Sequence, residues 1–229
     1  MKALIINVAA NSAMPQIGGP GPVFDDRTFR YKPIPEGDDV SRGPTYRSLG
    51  LTDYVPDPNM TAHYDPEFGG PTYGDYLGNK PNLRRIGTGD LLLFLASLDH
   101  VRTGVRRFYF IGWILVAAVL SENDARKDAR CQRNAHILRR DDYGFSVFLG
   151  KEGQLLPKAV AITRSLAAEA FLPDGKMWTI RNPRTGHVFQ DNERINHLTR
   201  FPRLVCDERK VEILRNELMR HGNASSSCL

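Results

Sequence analysis

Residues 90–116, DLLLFLASLDHVRTGVRRFYFIGWILV, contain two apolar runs on either side of a charged connection. Residues 90–97 and 107–116 are rich in the aliphatic and aromatic side chains that suit a pleated, buried surface. Each is also too short to cross a bilayer, which needs about 18 or more apolar residues. The charged connection between them has the length of a polar hairpin tip, so the pair is predicted to form adjacent central strands.

Elements on both sides extend this pair into a domain. Residues 3–8 are a short apolar run, predicted as a buried strand that leaves the core into an irregular loop at IGGPGP (17–22). Residues 28–34 alternate Phe29 and Tyr31 with Arg30 and Lys32 and end at Pro33 and Pro35, the pattern of a short edge strand. The long stretch 37–82 has few aliphatic residues, but Tyr46, Tyr54, Tyr64, Phe68, Tyr73 and Tyr76 argue for order, because disordered segments are poor in aromatics. Ser121 is placed to cap a helix running to Asn134 or beyond, with Glu122 and Asp124 in its first turn and arginines later. Residues 145–149 and 159–163 are predicted as further short strands, and Val211, Leu214 and Leu218 mark an amphipathic helix over 207–221. The expectation is one α+β domain over residues 1–222 and a flexible tail at 223–229. Its central sheet is expected to be mixed or partly barrel-like, with long ordered loops and flanking helices.

Composition narrows the functional classes. With 229 residues and 41% hydrophobic content, the chain is not wholly disordered. It has no apolar run of spanning length and no convincing cleavage region after its first residues, so a cytoplasmic protein without a membrane segment is expected. Cys131, Cys206 and Cys228 are too few and too widely spaced for a disulfide framework or a zinc knuckle. The net charge of +5 lies in the second half: residues 1–114 carry 12 Lys+Arg against 12 Asp+Glu, residues 115–229 carry 19 against 14. Arg106, Arg107, Arg130, Arg133, Arg139 and Arg140 would bind a nucleic-acid backbone if folding gathers them on one face. Otherwise they are solvated ends of ordinary elements.

Two segments carry the candidate chemistry. In PVFDDRTFRYKPIPE (22–36), Asp25 and Asp26 point to opposite faces of extended backbone, so only one enters a given pocket, with Glu36 as a further carboxylate. Phe24 and Tyr31 supply ring surface, and apolar neighbours disfavour a carboxylate's charged form, tuning it for proton transfer. In HYDPEFGGPTYGD (63–75), His63 and Asp65 share a face of extended chain, as an oriented general base or as two metal ligands. No third ligand follows at recognisable spacing, so neither a metal nor a cofactor is assigned. Phe68 and Tyr73 can stack on a base or seal a small core beneath the long loop. His136 can reach a phosphate or base edge, although a lone helical histidine is more often structural. Phosphate-binding, dinucleotide, serine-hydrolase and zincin motifs are all missing.

In order along the chain, MKALIINVA, PVFDDRTFRYKPIPE, Thr45–Tyr46, HYDPEF, PTYGD, GDLLLFLA, FYFIGWILV and LGKEGQLLPKAVAIT resemble the nucleotide modification associated domain 3 family of predicted DNA base modification proteins. The strand pair bearing Gly112 and Trp113 is also similar to PUA-like modified-base domains. Arg27 stands where a glycine would be expected after the acidic pair. The resemblance implies DNA as partner and a modified or target base as ligand, with Asp25, Asp26, Glu36, His63, Asp65 and Tyr73 on the family's polar positions. The expected activity is base modification or glycosidic-bond excision, as by a glycosylase, on a base flipped into an acidic, aromatic pocket. Asp26, Asp25, His63 and Asp65 would be catalytic, and Phe24, Tyr31, Glu36, Phe68 and Tyr73 would bind the base. The alternatives are a non-enzymatic reader of modified bases and an enzyme acting on free nucleotides.

Overall fold

The computed structural model describes residues 1–8, 14–36, 42–78, 80–139, 144–163 and 203–222, together with Leu166 and Ala170. The strands are β1 (Ala3–Val8), β2 (Gly21–Val23), β3 (Ile34–Pro35), β4 (Ala62–His63), β5 (Thr72–Tyr76), β6 (Leu91–His100), β7 (Arg106–Ser121), β8 (Phe145–Ala161) and β9 (Arg203–Val205). Three α-helices are described: α1 (Glu122–Lys127), α2 (Ala135–Arg139) and α3 (Glu208–Gly222). Seven strands form one mixed sheet in the order β5-β8-β7-β6-β1-β9, with β2 also on β6, and β3 pairs with β4 in a separate ribbon.

The β6–β7 hairpin is the centre of that sheet, as its two apolar runs predict. Its register runs from Leu91 opposite Leu115 to Asp99 opposite Arg106. Leu92, Phe94, Phe110, Ile111 and Ile114 are all fully buried, each such side chain contributing about 1.5–3 kcal/mol through removal from water. β1 joins β6 in parallel, Ala3 opposite Leu91 through Val8 opposite Ala96. At the closing helix, Val211, Leu214 and Leu218 are each 1% exposed, and α3 packs on β8 and β9. The fold is α+β, a single domain with an open sheet.

Several local expectations are corrected. Among the described residues no barrel closes, because β5 and β9 end the sheet without pairing to each other. Residues 28–34 are not an edge strand. Phe29 makes a lone bridge to Val23, and the chain turns tightly at 24–28 through Phe24 N–H to Thr28 O and Arg27 N–H to Phe24 O, both 2.9 Å. The predicted 121–134 helix stops after Lys127. Asp128 leaves helical geometry at ψ 118°, and its carboxylate caps the next turn by accepting from Arg130 N–H, a local bond that competes with helix continuation. The two short strands predicted at 145–149 and 159–163 are one seventeen-residue strand; the glycine-rich LGKEGQ between them is accommodated by register shifts against β7 at Leu115/Val116 and Val116/Ala118. The IGGPGP loop also gains β2, parallel to the end of β6. The predicted tail at 223–229 and Arg140 lie outside the described residues.

The aromatic stretch after residue 42 is ordered in the way its composition predicts. Tyr46 is fully buried with Ile17, Leu51 and Ala62 in a satellite core, and its hydroxyl donates to Pro33 O at 2.9 Å. Lys32, 2% exposed, donates to Ile17 O and Tyr54 O at 2.7 and 2.8 Å. Burial lowers the pKa of its ammonium, and the two carbonyls fasten this core to the segment leading into β3.

Candidate functional site

Three pieces of chain converge beyond the end of β1. In the β3–β4 ribbon, Ile34 lies opposite His63 and Glu36 N–H donates to Thr61 O at 2.9 Å, which brings the Glu36 carboxylate to His63. Glu36 Oε2 lies 2.9 Å from His63 Nδ1. An ionised carboxylate can only accept, so Nδ1 carries the proton and Nε2 is the basic nitrogen. The Glu36 side chain is 4% exposed and its other oxygen is 3.4 Å from Arg139.

The second piece is β5, where strand alternation turns Tyr73 and Asp75 the same way. The Tyr73 hydroxyl donates to Asp75 Oδ2, which also accepts from Lys80 Nζ at 2.5 Å, while Asp75 Oδ1 accepts from Tyr76 N–H at 2.7 Å. Between them, Gly74 N–H donates to both Asp65 oxygens, at 3.2 and 3.0 Å. Burial holds the Tyr31 and Tyr73 hydroxyls well above the usual phenol range, so both remain protonated donors. Tyr31 donates to Asp65 O at 2.8 Å.

The third piece is the start of α2. Asn134 is fully buried and caps this short helix, its Oδ1 accepting from His136 N–H at 3.1 Å and its Nδ2 donating to Thr72 Oγ1. The cap delivers His136 to Asp65, with Nε2 3.5 Å from Oδ2. Its ring stacks on Phe145 at 5.4 Å and meets His63 edge-on at 4.9 Å. Only a glycine fits beside it. A Cβ on residue 74 would stand 2.4 Å from His136 Cδ2 and 2.7 Å from Asn134 Oδ1.

These groups surround a cavity of about 240 Å³ lined by Asn7, Val8, Tyr31, Ile34, His63, Asp65, Tyr73, Gly74, Asp75, Lys80 and His136. Burial pushes the Asp65 carboxyl up, and His136, His63 and the Gly74 N–H pull it back. One ligand atom from each of His63, Asp65 and His136 lies within 4.8 Å of the others.

Of the residues predicted from sequence, His63, Asp65, Tyr31 and Tyr73 line this cavity, and Glu36 supports it through His63. Asp25 and Asp26 do not line it. Asp25 is 58% exposed at the β6–β7 turn, 3.2 Å from His100 and 3.1 Å from Arg102. Asp26 is exposed and accepts from Thr28 N–H and Oγ1 at 2.9 and 2.7 Å, which lowers its pKa. Asp26 therefore serves the turn closed by Arg27, whose φ of 71° is the left-handed value expected of a glycine. Phe24 is half-buried in the same turn. Phe68 packs edge-on against Phe94 at 5.7 Å and belongs to the core. From sequence, His136 is expected only as a phosphate or base-edge contact, Asp75 is quoted without a role of its own, and Lys80 is not foreseen.

Four of the predicted backbone-binding arginines form ion pairs. Arg106 pairs with Asp99, Arg130 with Asp128, Arg133 with Glu67 and Arg139 with Glu36, while Arg107 donates to the Arg106 carbonyl. Arg133 and Arg139 nonetheless pair with carboxylates from the two segments that build the site.

The fold and cavity define an open-sheet α+β protein with a small site lined by histidine, carboxylate and tyrosine. The sequence matches the nucleotide modification associated domain 3 family over residues 2–215, nearly the whole chain, and the protein belongs to that family. No curated protein and no solved structure matches it. Among the described residues, no helix is long and apolar enough to cross a membrane.

Proposed function

We propose that this protein is a nucleic-acid base-modifying enzyme that takes one base, flipped out of DNA, into the cavity between the β3–β4 ribbon, β5 and α2. The observation that carries the reading is the His63–Asp65–His136 cluster lining that cavity, its carboxylate buried, in a chain of a nucleotide-modification family. A volume of about 240 Å³ is below the about 300–1,000 Å³ typical of sites for drug-sized ligands. That limit suits a single heterocycle with its nucleotide chain left outside. Tyr31 and Tyr73 offer ring surface, Asp75 and Lys80 an acceptor and a donor for the base edge.

In this reading His63 orients the base or a water. His63 Nδ1 is anchored on Glu36, which fixes the direction of Nε2. Asp65 and His136 hold a water or an exocyclic group of the base. Asp25 and Asp26 have no part in the chemistry, and Arg133 and Arg139 contact backbone phosphate at the rim. Modification of the base itself is favoured over excision. The exposed acidic pair, the carboxylates that the sequence offers for stabilising an oxocarbenium ion, lies away from the cavity, Asp26 bonded to Thr28 and Asp25 paired with His100 and Arg102.

The test is incubation with duplex and single-stranded DNA carrying a panel of normal and modified bases, then mass spectrometry of digested nucleosides and released bases. A nucleoside changed in mass, lost with His63→Gln, supports the reading. Released free base would make the protein a glycosylase, and tight binding without any product would make it a reader. A DNA affinity that does not fall with added salt would remove the phosphate contacts.

A further inference from the structure

We infer that His63, Asp65 and His136 form a binding site for one divalent transition-metal ion. His63 ends β4, Asp65 lies two residues on, and His136 comes from α2 far along the chain, so linear spacing hides the set. Two imidazoles and one carboxylate are the donor set of open three-ligand sites for zinc or iron(II), which keep positions for water or substrate. The cavity supplies the room for those positions.

The supporting shell is the kind a metal ligand needs. Glu36 accepts from His63 Nδ1, leaving Nε2 as the nitrogen that would bind, in the carboxylate–histidine–metal arrangement. The Asn134 cap fixes the backbone of His136, and Phe145 stacks on its ring. Gly74 N–H orients the Asp65 carboxylate. Metal bonds of about 2.0–2.2 Å ask ligand atoms within 4.8 Å of one another to draw closer on binding. The set is not duplicated elsewhere: among the described residues it is the one three-residue group of this type.

This inference stands on ligand geometry and goes beyond the proposed reaction. The experiment is made on the full chain without DNA. Purified protein is stripped with chelator and titrated separately with zinc(II) and cobalt(II), reading bound metal by mass spectrometry and the cobalt d–d absorption. The expected result is about one ion per chain with the intense visible bands of low-coordinate cobalt. Asp65→Asn with His136→Gln should abolish it. Glu36→Gln, which keeps all three ligands, should weaken affinity by about 10–100-fold. Circular dichroism of each variant separates lost binding from lost folding. Uptake far below one equivalent by the wild-type chain, or wild-type uptake by the folded double variant, would overturn the site. An inactive but metal-loaded protein would count against the proposed reaction only, and metal-free turnover against the metal only.

Discussion

Two aspartate–histidine pairs in this molecule differ in what surrounds them. Asp25 lies 3.2 Å from His100 and Asp65 lies 3.5 Å from His136, and the two histidine side chains are almost equally covered, at 16% and 15% exposure. The acids are not: Asp25 is 58% exposed and Asp65 3%. Water screens the first pair, and Arg102 shares the same carboxylate oxygen, so its contribution falls in the range of about 0–1 kcal/mol of surface ion pairs. The second carboxylate has lost its water, its charge depends on two histidines and one amide, and its pKa is raised. The lesson is that aromatic neighbours in sequence do not desolvate an acid. Enclosure by distant segments does.

Removing the two acids breaks this comparison most directly. Asp65→Ala should abolish turnover and cost about 1–3 kcal/mol in stability, because the buried Gly74 N–H loses its acceptor. Asp25→Ala should keep full activity and stay within about 0.5 kcal/mol of wild type. Product mass spectrometry and urea midpoints on both proteins decide it, and equal effects would erase the distinction. Gly74→Ala comes next. Its Cβ would overlap His136 and Asn134, an overpacking expected to cost about 1–3 kcal/mol and to push His136 from the site, read as lost turnover and a shifted imidazole NMR resonance. Asn134→Ala should cost about 1 kcal/mol through the lost α2 cap, with activity reduced rather than abolished because the His136 ring still stacks on Phe145.

How far each region was legible follows from the range of the interactions that make it. The β6–β7 hairpin and α3 rest on local periodicity, so residues 90–116 and the Val211–Leu214–Leu218 stripe were readable directly. Ser121 was readable as a cap, but not where its helix ends, since that depends on the Asp128 side chain winning its own turn. The continuity of β8 was hidden because glycines inside a strand look like a turn until register shifts between it and β7 accommodate them. At the site, His63 and Asp65 were visible as neighbours in extended chain. His136 was visible as a possible phosphate or base contact but not as their neighbour, because its place depends on its own Asn134 cap together with a glycine and a stacked ring from two other segments. A signal did exist: Asn134–Ala135–His136 is a cap followed by a ligand-type residue, and Gly74 lies between Tyr73 and Asp75 where a strand otherwise gains from a side chain.

The smallest predicted effect tests what Asp26 does instead of catalysis. Its carboxylate accepts two hydrogen bonds from Thr28, and these lower its pKa below the ordinary value of 3.8. A carboxyl whose folded-state pKa is depressed adds stability that is fully present above the unfolded value and is lost as pH falls through the folded one. Asp26→Asn should therefore be slightly less stable than wild type at neutral pH, and the gap between their urea midpoints should shrink below about pH 3.8 and close in stronger acid. Turnover at neutral pH should be unchanged. A gap that stays constant with pH would mean that the amide of the variant fails through shape rather than charge. A loss of turnover on a folded chain would restore the acidic pair to the active site, and the contrast between exposed and enclosed carboxylates would no longer separate turn chemistry from site chemistry.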